Sequence, residues 1–158
     1  MAESELAKQE KQEVWKRIEK TVGFTMRQVA PRRKDWRESP SGELSVFVTF
    51  SKDSQLFYDV QCGDLQQWLG YKRAFVVFVM GTCEEALIIP AQCMKELVKD
   101  LTPKGREEYK LHIIRTGTGY KFREVPGHNL KPFLNNYGLL RNYYSTTVNF
   151  CVTTTRPQ

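Results

Sequence analysis

No charged or polar side chain interrupts Ala74-Phe75-Val76-Val77-Phe78-Val79-Met80-Gly81, the longest apolar run in the chain. Its β-branched and aromatic content, its length and the Gly81 stop predict a strand buried on both faces, since a buried helix would run longer before a breaker. A strand of this kind carries no titrating group. Whatever chemistry the protein performs has to come from the segments packed around it. With 158 residues, 41% of them hydrophobic, the chain can bury one such core, which sets one domain as the expectation.

The flanking segments predict an α+β fold: a mainly antiparallel or mixed sheet, with an N-terminal amphipathic helix and one or two further helices packed on it. Leu6, Val14, Trp15, Ile18, Val22 and Met26 recur at helical spacing behind the capping residue Ser4, so a helix is expected from Ser4 to about Val29. Alternation over Leu44–Phe50 and Gln55–Val60, with Ser51–Ser54 between them, predicts a strand hairpin. Asp64–Leu69 reads as a short helix, Ala86–Pro90 as a strand and Ala91–Leu101 as a helix. Tyr109–Arg115 and Tyr120–Val125 alternate about Thr116-Gly117-Thr118-Gly119 and predict a second hairpin. In organisation, 1–41 is a helix and basic loop belonging to the same unit, 42–140 is the α+β core, and 141–158 is a weakly attached strand, through Thr147–Val152, or a tail.

Charge directs attention to an anionic partner. The net charge is +6 and the pI about 9.2, and surplus positive charge concentrates polyanions such as nucleic acid near a surface. Arg27, Arg32, Arg33, Lys34 and Arg37 place five cations within eleven residues, with Trp36 among them. Guanidinium groups pair with phosphate oxygens and an indole can stack on an exposed base. The plainer reading is a solvated loop with Trp36 folded onto the core. The second hairpin offers Arg115 and Thr116 at its tip, and Lys121 and Arg123 on the face opposite Tyr120 and Phe122. Its glycines would let a phosphate approach the backbone, although Gly117 and Gly119 in a hairpin do not make a dinucleotide fingerprint.

Enzyme chemistry has narrower openings. Cys62, Cys83, Cys93 and Cys151 are scattered without C-x-x-C spacing, and the only histidines are His112 and His128. There is no P-loop, H-E-x-x-H or G-x-S-x-G motif. One triplet has the form used by metal-dependent nucleases of the restriction type. Glu108-Tyr109-Lys110, with Asp59 or Asp100 as a partner, would supply two carboxylates for Mg2+ and a lysine for the attacking water. No cofactor is expected outside that alternative.

The succession Leu56–Val60, Phe75–Gly81, Leu87–Pro90 followed by a helix, Tyr109–Ile113 and the closing Leu130-Lys131-Pro132-Phe133-Leu134-Asn135-Asn136 resembles small accessory domains found beside nucleases in prokaryotic restriction systems. The likeness spans roughly Gly42 to Leu140, and it implies DNA recognition in a restriction or defence role, with any catalytic part on another chain. The sequence therefore leads to a nucleic-acid-binding domain, DNA preferred, using Arg32, Arg33, Lys34, Trp36, Arg37, Arg115, Thr116, Lys121 and Arg123. The nuclease and a protein-interaction module, engaging a partner through the N-terminal helix, are the alternatives. Lacking any apolar stretch of membrane-spanning length and any secretory-type N-terminus, the chain is expected in the cytoplasm, away from membranes.

Overall fold

The structure, a computed structural model, describes residues 3–103 and 107–142. The apolar run is the strand β5 (Arg73–Met80), whose residues from Phe75 to Met80 are at most 1% exposed. It lies between β3 (Leu44–Ser51), to which it is parallel, and β6 (Ala86–Pro90), to which it is antiparallel. The short strands β1 (Arg27–Gln28) and β2 (Trp36–Glu38) extend the sheet to the order β1-β2-β3-β5-β6. A second sheet contains β4 (Phe57–Gln61), β7 (Glu108–Arg115) and β8 (Tyr120–Phe122), in the order β4-β7-β8.

The two faces of the larger sheet take different cover. Helix α1 (Glu5–Val22) lies on β3, and Arg37, the cross-strand partner of Val46, reaches the Trp15 ring, so α1 covers the face carrying Leu44, Val46 and Val48. On the opposite face Phe47 stacks on Trp68 of α2 (Cys62–Trp68) at 5.2 Å, and Phe78 meets Tyr58 of β4 and Phe122 of β8 edge-on. The second sheet and α2 thus form a layer of their own, and α3 (Ala91–Val98) packs against β5, β6 and α2. One continuous cluster of buried side chains runs from Val14 to Leu140. At roughly 1.5–3 kcal/mol for each large apolar side chain buried, that cluster is the main source of stability. A 3-10 turn over Lys131–Phe133 sets Leu134 and Asn135 along β6, where Asn135 N donates to Ala86 O at 2.7 Å, and α4 (Leu139–Asn142) follows.

An α+β fold with an N-terminal helix on a mixed sheet is what the sequence patterning predicts, and the second hairpin, β7–β8, forms with its outgoing strand ending at Phe122 instead of Val125. Several details differ, among them the short strands β1 and β2, which form where the end of the helix and the basic loop are expected. Helix α1 stops at Val22, because Gly23 caps it with its N–H on Glu19 O while the Glu19 side chain accepts from Met26 N at 2.8 Å and starts the chain outward. The first predicted hairpin does not pair with itself. β3 is occupied on both edges by β2 and β5, so after the 52–55 turn and Leu56 at φ 45° the chain leaves the sheet and β4 pairs with β7 instead. Helix α3 ends at Val98, short of Leu101. The strand expected over Thr147–Val152 lies outside the described residues. No described helix is long and apolar enough to cross a membrane.

Candidate nucleic-acid interface

The basic loop between β1 and β2 folds over the edge of the larger sheet and divides its cations between the two layers. Arg33 turns to the α2 side, donating to Asp64 Oδ2 at 2.6 Å with its guanidinium 5.0 Å from the Trp36 ring. Lys34 turns to the α1 side and bonds Glu3 at 3.1 Å, while Arg37 donates to Lys34 O and lies 4.4 Å over Trp15. Arg32 is exposed and has no ion-pair partner among the described residues. Trp36 corrects the base-stacking expectation. It is 4% exposed, its Nε1–H donates to Ser45 Oγ at 2.7 Å, and its ring abuts Trp68, so the indole belongs to the core. An arginine-rich context masks this because the guanidinium of Arg33 covers an indole that is already buried.

On the second sheet, register decides what faces water. Tyr58, Val60, Leu111, Ile113 and Phe122 point inward and are 4% exposed or less. The alternate residues Phe57, Asp59 and Gln61 of β4, Glu108, Lys110 and His112 of β7, and Lys121 of β8 form the outer face. The Phe57 ring tilts against His112 at 4.7 Å, with the Lys110 ammonium 5.6 Å from its centre. Arg123 continues the face and pairs with Glu124 at 3.6 Å, and Glu124 accepts from the His112 backbone and ring at 2.8 and 2.7 Å. Burial pushes the Glu124 carboxyl up, but these bonds outweigh it and hold the group below the ordinary carboxylate range. Lys121 has no partner among the described residues.

Arg115 is not beside Lys121. As the partner of Tyr120 it sits on the inward side, where it forks onto Glu85 at 2.8 and 2.6 Å and reaches Asp53 at 2.6 Å. That pairing holds Glu85 below its usual range, with Tyr120 Oη adding a 2.6 Å bond. Arg115 therefore ties together the turns that follow β3 and precede β6. Thr116 closes the hairpin tip, donating from its N–H to Gly119 O and accepting from Thr118 N. Gly119 is explained from inside the molecule: a Cβ there would come within 2.2 Å of Asn129 Oδ1, which accepts from Tyr120 N and Lys131 N.

The nuclease triplet is also assembled in part. Asp59 and Lys110 are cross-strand partners, and Lys110 Nζ bonds Asp59 at 3.3 Å and Glu108 at 2.9 Å. Glu108 also accepts from Gln61 at 2.6 Å. The ammonium thus stands between the two carboxylates, and its pKa is raised by the bonds to Glu108 and then Asp59. Among the described residues no group of three or more His, Cys, Asp or Glu is arranged to hold a metal. Asp100 takes no part in this group and lines a cleft of about 390 Å³ between the end of α3 and the 124–128 segment. His128, in the same cleft, is not a residue that spacing singles out. Its Nδ1 is buried without a partner, and burial followed by nearby Lys99 lowers its pKa.

Comparison with protein-family models, curated proteins and solved structures finds no match to this chain.

Proposed function

We propose that the protein is a nucleic-acid-binding module, DNA preferred, that engages the backbone through the outer face of its three-stranded sheet. The observation that carries this reading is the solvent-facing row of Lys110, His112, Lys121 and Arg123 beside the Phe57 ring. Cations and a ring on an open sheet face suit phosphate contacts and base stacking together. The basic loop does not extend this row, because Lys34 and Arg37 lie on the α1 side of the larger sheet and the three-stranded sheet covers the other side. A recognition role in a restriction or defence system follows from the resemblance of the 42–140 segment.

A salt titration of binding, read by anisotropy with labelled mixed-sequence duplex and single strands, tests the proposal. The affinity should fall log-linearly with salt, and the Lys121→Ala/Arg123→Ala pair should flatten the duplex slope by about 1.8, near 0.9 for each phosphate no longer neutralised. Absence of saturable binding at low salt, or an unchanged slope in the double variant, overturns it.

One observation favours a second reading, the metal-dependent nuclease: Asp59, Glu108 and Lys110 meet on neighbouring antiparallel strands. For that activity the ammonium must swing aside to admit Mg2+. Cleavage that requires Mg2+ and disappears in Glu108→Ala would establish it, and intact DNA after prolonged incubation with Mg2+ would remove it.

A further inference from the structure

The N-terminal half of α1 and the basic loop enclose a cavity of about 160 Å³ to which Lys8, Lys11, Lys34 and Arg37 all contribute. Its lining sets two carboxylates, Glu3 and Asp35, against these four cations. Lys11 is 9% exposed and pairs with both Glu3 and Asp35, the latter at 2.5 Å, and Lys34 also bonds Glu3. Trp15 lines the same cavity at 3% exposure, and its Nε1–H has no acceptor. An indole N–H only donates, and a buried donor left unpaired is costly. The indole here lacks an acceptor, and Lys11 and Lys34 share the one carboxylate of Glu3, which stands at the start of the described chain just before the Ser4 cap.

We propose that this cavity is a binding site for a single phosphate group, with Glu3 as the internal anion that the phosphate displaces. A tetrahedral dianion offers several acceptor oxygens at once, which suits a cavity lined by lysine ammoniums, a guanidinium and an indole with a free N–H. Glu3 satisfies Lys11 and Lys34 but leaves the indole unserved. The site does not depend on the sheet-face reading above, since free phosphate alone can fill it.

The test is a titration of the full-length protein with inorganic phosphate, followed through the Trp15 indole N–H resonance, assigned by its loss in Trp15→Phe. Sodium chloride at matched ionic strength is the control. A saturable shift with half-saturation near or below about 1 mM, as a few charge-assisted hydrogen bonds would give, is expected. Glu3→Gln should tighten binding by about two- to fivefold, the worth of the ion pairs it removes, and Lys34→Ala should weaken it by a similar factor. A shift reproduced by chloride, or one indifferent to both substitutions, overturns the proposal. A 5′-phosphorylated oligonucleotide compared with its unphosphorylated twin separates the sources. Preference for the phosphorylated strand assigns the pocket to a nucleic-acid end, and equal binding of the two strands alongside a phosphate response assigns it to free phosphate or a small phosphomonoester. Failure of duplex binding with the phosphate response intact would count against the sheet-face interface alone.

Discussion

Trp36 shows how far a single residue can be read from its neighbours. Flanked by Arg33, Lys34 and Arg37, it has the context of a base-stacking indole, yet its partners are Ser45 and Trp68, neither of which is near it in sequence. The alternation of β3 that puts Ser45 and Phe47 on one face is visible in the sequence; the pairing of β2 with β3 that brings the indole over them is not. Trp36→Phe keeps the edge-on ring contact but leaves Ser45 Oγ without its buried donor, and should cost about 1–3 kcal/mol in a urea melt. Trp36→Ala should cost about 3–5 kcal/mol. Neither change should flatten the salt dependence of nucleic-acid binding in protein that remains folded, whereas an indole stacked on a base would contribute directly to affinity.

At the scale of elements, local patterning identifies strands and helices well and long-range pairing poorly. The buried strand 73–80, the capped start of α1 and the β7–β8 hairpin follow from composition and period within one segment. The fate of β4 does not, because it depends on β5 having already taken the edge of β3 that β4 would need. The outer face of the second sheet is half legible for the same reason. Lys121 and Arg123 share a face by alternation alone, but their company with Phe57, Lys110 and His112 requires the β4–β7 register. The turn after β5 is where this arrangement is held. Gly81 has φ 83°, its N–H donates to Ser51 O, and a Cβ there would meet Asp53 Cβ at 2.9 Å. Gly81→Ala should therefore destabilise by at least the ~1–2 kcal/mol of a left-handed alanine. The crowding against Asp53 should also disturb the Arg115–Asp53 pair. Gly127→Ala, where a Cβ meets nothing within 4 Å, should be close to neutral in the same denaturation series.

For the whole molecule, ion pairs and burial together make stability a function of pH with two acid steps and an alkaline one. Glu85 is held low by Arg115, and Glu84 by Arg17; Glu3 and Glu124 are held low by bonds that overcome the effect of burial. Each binds its proton more readily when unfolded, so its contribution is complete above the ordinary value of 4.5 and is lost as pH falls through the lower folded value. His128 acts earlier. Burial keeps it neutral in the fold, so the unfolded chain takes up the proton first and stability begins to fall as pH drops through 6.5. At the other extreme, burial followed by the Glu38 bond pushes Tyr71 up to about 12, and burial raises Tyr58 further still. Their contribution is whole below pH 10, where unfolded tyrosines begin to ionise, and for Tyr71 is lost by about pH 12. Unfolding free energies from urea melts across pH should form a plateau between neutrality and about pH 9.0, above which the unfolded Cys83 thiol and then the tyrosines ionise. His128→Asn should flatten the shoulder beginning near 6.5 and leave the carboxylate step in place. Arg115→Gln should shrink the carboxylate step, because it releases Glu85 from the cation that ties the turn before β6 to the turn after β3. A profile flat from neutrality down to pH 4.5 in the unaltered protein would mean that His128 titrates in the fold as it does in the open chain.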